Sequence, residues 1–301
     1  HVRCSADGSE EEVANSIRAW ILFGGYGSRT RRGVGSLTIA EPEQCKAWLP
    51  AKPTRDEFAR VFGRDIFLAP VSNGLLDVPG LGGAGLSVIE QRSDAERCWE
   101  TALNWLNDFR QGRGVGRDQG DKKRPGVSRW PEPDKVRRIS QPIPGRPWQH
   151  EPRHNSIPVW PRAGFGLPII SRFQQKDRQK DNYPKPEPVD YEIHWLRGEK
   201  EMDRLASPLI VKALPLADGT FVPCALWLAR SYPQDGMVML KDSRSDSGRS
   251  RRSKAEFDQL VAQGDNCYFE PIIQAKDKIV GKPSGMRLRT VFMEWLKSDR
   301  K

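Results

Sequence analysis

Histidine is scarce in this sequence, and paired cysteine is absent. Four histidines (His1, His150, His154 and His194) stand among 301 residues. Histidine is the commonest general acid or base near neutral pH, so proton-transfer chemistry would have to draw on these four. The five cysteines, Cys4, Cys45, Cys98, Cys224 and Cys267, are odd in number and scattered, with no C-x-x-C pair. That excludes a zinc knuckle and gives no disulfide framework. No apolar run is long enough to span a bilayer, and no secretory signal is visible. A reduced, cytoplasmic protein is expected. The chain opens on His1 where a Met would stand, and a segment preceding it is expected.

One metal motif is present by letter. "HEPRH", His150 to His154, matches H-E-x-x-H. That motif needs a helix, which sets both histidines on one face. Pro152 lies inside the pentapeptide, and Pro142, Pro144, Pro147 and Pro158 surround it. Proline removes helix hydrogen bonds and clashes with the preceding turn. Zinc chemistry is therefore not expected, and His150 and His154 read as loop residues. Nucleotide-binding loops are absent too. Gly25, Gly27, Gly33 and Gly35 lack the G-x-G-x-x-G spacing and follow a helix rather than a strand. "GKPS" at Gly281 lacks the upstream glycine of a phosphate-binding loop. No cofactor and no metal are expected.

What the chain has is positive charge. Lys and Arg number 49 against 39 acidic residues, giving +10 and a pI near 9.5. Such a balance favours polyanion partners. The densest feature is "FGGYGSRTRRGVGSL", Phe23 to Leu37, with five glycines and three arginines. Gly24, Gly25, Gly27, Gly33 and Gly35 permit sharp turns and close backbone approach. Arg29, Arg31 and Arg32 carry planar cationic forks that fit phosphate oxygens. No acid lies within the loop to neutralise them, so an exposed sugar-phosphate contact is expected. A second basic cluster joins charge to an aromatic ring: Arg129, Trp130, Arg137 and Arg138. Single-stranded RNA sites combine the two. The competing reading packs Trp130 into the core and pairs the arginines with Glu132 or Asp134.

The elements read as mixed α+β. Ser9 and Glu12 form a capping box for a helix that runs to Gly24. Thr54 and Glu57 cap a second, to Phe62, and Ser93 and Glu96 a third, to Arg110. Strands are expected at Ser36–Ala40, Ile66–Ala69 and Leu86–Glu90, with "GLGGAG" (Gly80–Gly85) as a turn. From Asn107 to His150 there are eleven basic and five acidic residues, with glycines and then prolines. "QGRGVGRDQGDKKRPG" reads as a loop, and one or two helical turns follow Pro133. Beyond the prolines, "YEIHWLR", "SPLIVKAL", "FVPCALWLA" and "GMVMLK" read as strands. Helices are expected at Lys254–Gln263, capped by Ser253, and at Thr290–Ser298. The expected division is residues 1–142, a proline-rich crossover at 143–162, and 163–301.

These residues also carry a resemblance. "GGYGSRTRRGVGSL" resembles the glycine-rich signature of the RAMP superfamily, in the form found in the Cmr one subunit of type III-B CRISPR effector complexes. "SRWPEPDKVRR", "RAGFGLPI" and "RLASPLIVKAL" are similar to later blocks of that family, in the same order. The resemblance spans Gly24 to Leu214. It implies two ferredoxin-like (RRM-type) domains, the first incomplete for want of an initial strand. It implies a non-catalytic, RNA-binding subunit serving antiviral defence, beside the Cmr six subunit near the 3′ end of the guide RNA. There it would assist capture of target RNA. The alternative within the superfamily is a metal-independent endoribonuclease that processes CRISPR repeat RNA, with His150 or His154 as acid or base.

Overall fold

The computed structural model describes residues 9–69, 79–113, 115–118, 126–140, 148, 150–152, 159–173, 187–188, 190–233, 236–242, 251–254, 257 and 287–298. It is α+β: helices with two antiparallel sheets. The chain divides into two units, but not linearly. His1–Leu106 joins Pro208–Ser231, and Asn107–Ser207 joins Tyr232–Lys301. This corrects the linear division at 142. Hydrogen bonding returns residues 208–231 to the first unit, because both strands in that stretch pair there.

The first unit holds α1 (Glu10–Phe23), α2 (Pro42–Trp48), α3 (Arg55–Phe62), β1 (Gly80–Val88), most of α4 (Ala95–Gln111), β5 (Leu209–Pro215) and β6 (Phe221–Ala229). The sheet order is β1-β6-β5. The expected caps of α1 and α3 form: Ser9 Oγ accepts from Glu12 N at 3.2 Å and Thr54 Oγ1 from Glu57 N at 3.4 Å. α4 begins later than expected. Ser93 is engaged through its backbone by Phe221, and Asp94 Oδ1 instead accepts from Arg97 N at 2.9 Å. Apolar side chains of α1 and α3 meet those of β5 and β6 in one core, with Phe23, Phe58 and Phe67 at ring separations of 5.6 to 5.8 Å. Burying such a side chain contributes about 2–3 kcal/mol.

The second unit holds α5 (Pro131–Ser140), β2 (Ile169–Ser171), β3 (Tyr191–Arg197), β4 (Lys200–Met202), β7 (Gly236–Asp242), β8 (Arg251–Lys254) and α6 (Leu288–Ser298). β2, β3, β7 and β8 follow one another in the sheet, and β4 pairs with β3. Trp160, Ile193, Trp195, Val238 and Phe257 fill its core. Phe109, Trp130, Phe165, Phe292 and Trp295 pack edge to face or tilted, with Phe109 and Phe292 5.1 Å apart.

Several expected elements differ. Ser36–Ala40 and Ile66–Ala69 are irregular or turn, and α2 lies where no element was expected. Gly80–Gly85 is not a turn but the first two-thirds of β1. Its register slips by three residues against β6 between Gly80 and Gly85, and Gly83 takes φ +75° there. Glycine runs permit a bulged strand as readily as a turn. α5 starts at Pro131, two residues before the expected point, since proline is tolerated in a first helical turn. Lys254 and its expected cap Ser253 end a strand, and most of the expected Lys254–Gln263 helix lies outside the described residues.

Candidate nucleic-acid interface

The glycine-arginine loop is built on the C-terminus of α1. Gly24 N closes the helix onto Trp20 O at 2.9 Å, and the Trp20 indole donates to Gly25 O at 2.9 Å. Tyr26 N then donates to Gly35 O at 2.8 Å, tying the two ends of the loop together. Between them a single 3-10 turn, Thr30–Arg32, carries Arg31 and Arg32. Gly33 ends that turn at φ +75°, and Ser36 Oγ donates to Gly33 O at 2.8 Å.

Two glycines are required by space as well as by angle. Gly35 takes φ +75°, and a Cβ there would lie 1.9 Å from Tyr26 O. A Cβ on Gly33 would lie 2.8 Å from Val211 O, on β5, and 2.6 Å from the Trp99 ring. The loop is therefore pressed against the sheet rather than free. The Trp99 indole donates to Arg32 O at 2.6 Å. Lys212, in the middle of β5, donates from Nζ to Ile21 O at 2.9 Å and Gly24 O at 3.1 Å. A cation at the last carbonyls of a helix complements the dipole there. Burial holds the Lys212 pKa down at about 8.

The arginines are less exposed than expected. Arg29 lies open to solvent, but Arg31 and Arg32 are half-buried. Burial lowers both of their guanidinium pKa values, and the neighbouring charge of Arg230 lowers that of Arg31 further. Arg32 Nη1 is buried with no hydrogen-bond partner among the described residues. Like charges are thus held together on a braced turn, which favours an anionic partner. Tyr26, between two glycines, is 77% exposed, and Trp20 is 48% exposed. Both are aromatic side chains open to solvent in or beside the loop.

The second basic cluster belongs to the second unit and is mostly consumed by structure. Trp130 is fully buried, its indole donating to Arg110 O at 2.9 Å. It cannot stack on a base, so the core reading is the correct one. Arg137 is buried as well, held by Asp134 and by Glu187, each at 2.8 Å. Arg129 pairs with Asp118 at 2.7 Å. Arg138 is exposed and donates to Pro152 O at 2.7 Å. His150 to Pro152 is irregular backbone, and His150 Nδ1 lies 2.6 Å from Glu187 Oε1. His154 lies outside the described residues. Burial pushes the Glu187 carboxyl up, but His150 and Arg137 outweigh it and hold the pKa below the usual range.

Three participants were missed from sequence. Tyr26 stands in the quoted loop, and its setting among glycines was the available signal. Lys212 was also visible, as one lysine in the otherwise apolar "LIVKAL". Nothing near Trp99 in the sequence marks it as a brace for residues 67 positions away. Comparison of the chain with protein-family models, with curated proteins and with solved structures found no match in any of the three. Among the described residues, no helix is long and apolar enough to cross a membrane.

Proposed function

We propose that this chain is a non-catalytic RNA-binding subunit of a type III-B CRISPR (Cmr) ribonucleoprotein, in the cytoplasm. In this reading both units are ferredoxin-like domains of the RAMP superfamily. The chain sits beside the Cmr six subunit near the guide RNA 3′ end and assists target RNA capture. The observation that carries the reading is the braced loop. Glycines at positive φ hold Arg29, Arg31 and Arg32 on one turn, with Arg31 beside the charge of Arg230 and Tyr26 exposed in the same loop. Charge next to an exposed ring suits the backbone and bases of single-stranded RNA. Such contacts position RNA without reading sequence, which leaves matching to guide–target pairing.

The test is photo-crosslinking in the assembled complex. Guide and target RNAs carrying 4-thiouridine are bound, irradiated and digested, and the crosslinked peptides are mapped. Crosslinks within residues 23–37 are expected, with Tyr26 the main acceptor. Assembly without any crosslink to this segment contradicts the reading, as does failure of the chain to assemble with the other subunits.

A further inference from the structure

We propose that a cavity in the second unit, beside α5 and β2, is a phosphate-monoester site for a free nucleotide or the phosphorylated end of an RNA strand. The cavity measures about 530 Å³, within the range of small-ligand pockets. Arg110, Arg117, Arg137, Arg162 and Arg172 line it, with Glu187 the one carboxylate residue among the described residues of the lining.

The described acids around the cavity answer only part of this charge. Asp134 and Glu187 fix Arg137, and Glu187 also holds His150. Glu132 lies near Arg162 and accepts from its backbone N at 2.6 Å. Asp190 reaches Arg172 only loosely, at 3.7 Å, and the Arg172 side chain is 76% exposed. Among the described residues, no ion pair or side-chain hydrogen bond occupies the Arg117 guanidinium. Arg162 Nε is buried with no hydrogen-bond partner among the described residues. A guanidinium that no described protein group occupies, as at Arg117, gains charge-assisted hydrogen bonds from phosphate oxygens. Arg137, immobilised by two carboxylates and lying 5.0 Å over the Phe173 ring, forms a rigid wall. Arg117 and Arg172 are left to close on the ligand.

The shape and charge favour a monoester over a backbone diester. A phosphate monoester carries close to two charges at pH 7. It therefore gains more than a singly charged diester from guanidiniums that the described carboxylates leave under-neutralised. The exposed Ile170 on the lining offers apolar surface for the attached sugar or base. This site is independent of the glycine-arginine loop, and neither proposal requires the other.

The test uses the full chain and two matched probe pairs. One pair is AMP and adenosine. The other is a 3′-labelled tetraribonucleotide with a 5′-phosphate or a 5′-hydroxyl. At least a tenfold preference for the phosphorylated member of one pair is expected. Preference within the AMP pair alone identifies a free nucleotide, and preference within the tetramer pair alone identifies an RNA end. Arg117→Ala with Arg172→Ala should abolish the preference with an unchanged circular dichroism spectrum. Arg172→Ala alone, at an exposed position, should reduce it severalfold and serves if the double variant does not fold. Replacing Arg29, Arg31 and Arg32 should leave it intact. Equal affinity within both pairs overturns the proposal, as does a preference that survives the cavity substitutions.

Discussion

Lys212→Met removes the cation that braces the loop, and its effect has a distinctive pH dependence. Burial lowers the Lys212 pKa from 10.5 to about 8. That fall means that the buried ammonium costs the fold about 3 kcal/mol at neutral pH. Because the folded value is the lower one, the unfolded chain binds more protons between pH 8 and 10.5. Stability contributed by this residue therefore rises with pH through that window. Between pH 7 and pH 9 the rise is about 1 kcal/mol. The neutral amine keeps two N–H donors, enough for Ile21 O and Gly24 O. Cys224 acts with the opposite sign: burial pushes its thiol up to about 12, so the unfolded chain loses that proton first. Both chains keep Cys224, so the quantity to read is their difference. In Lys212→Met the two carbonyls lose their donor, at about 1 kcal/mol or more each, while the cost of burying charge disappears. Stabilities within about 2 kcal/mol of each other are expected at pH 7. Urea unfolding at pH 7, 8 and 9 should show the lysine chain gaining about 1 kcal/mol on the methionine chain. Parallel pH profiles would mean that Lys212 is not a buried cation in the folded chain.

Gly35→Ala should lower RNA affinity and destabilise the first unit, since its Cβ would strike Tyr26 O at 1.9 Å and φ is +75°. Binding titration and thermal unfolding read the two effects, and a neutral alanine would mean that the loop has another closed form. Tyr26→Ala should weaken single-stranded RNA by about 1–3 kcal/mol, the worth of one stacked base, with no change of fold stability or salt dependence. An unchanged affinity removes Tyr26 from the interface. Trp130→Ala should cost about 3–5 kcal/mol of stability through the cavity left among Phe109 and Phe165. If it instead weakens RNA binding in a stable protein, the assignment of Trp130 to the core is wrong.

Patterns set by near neighbours were readable from sequence, and those set by distant partners were not. The caps at Ser9 and Thr54 are local, and both form. "YEIHWLR" and "FVPCALWLA" become β3 and β6 as expected, because β-rich apolar runs have few other uses. Gly80–Gly85 went wrong because a glycine run does not distinguish a turn from a bulge; pairing with β6 decides it. The unit boundary failed for the same reason, since residues 208–231 are claimed by strands far away in sequence. In the site, the glycines and arginines could be named from composition alone. Their partial burial could not, because it comes from packing against β5 and Trp99. Arg137 and Trp130 look like RNA contacts in one dimension; Glu187 and Arg110, brought up by folding, turn them inward.

The salt dependence of RNA binding tests the central claim most directly. Arg29, Arg31 and Arg32 are changed together to glutamine, which keeps the side-chain stems that pack in the half-buried turn. Affinity for several unrelated single-stranded RNAs is then measured across a range of salt. Each lost phosphate contact should lower the slope of log affinity against log salt by about 0.7, or about 2 for all three. The loss of affinity should be similar for every sequence, because phosphate contacts carry no base information. An unchanged slope in a folded triple variant would contradict the account and remove this loop as the RNA-binding surface.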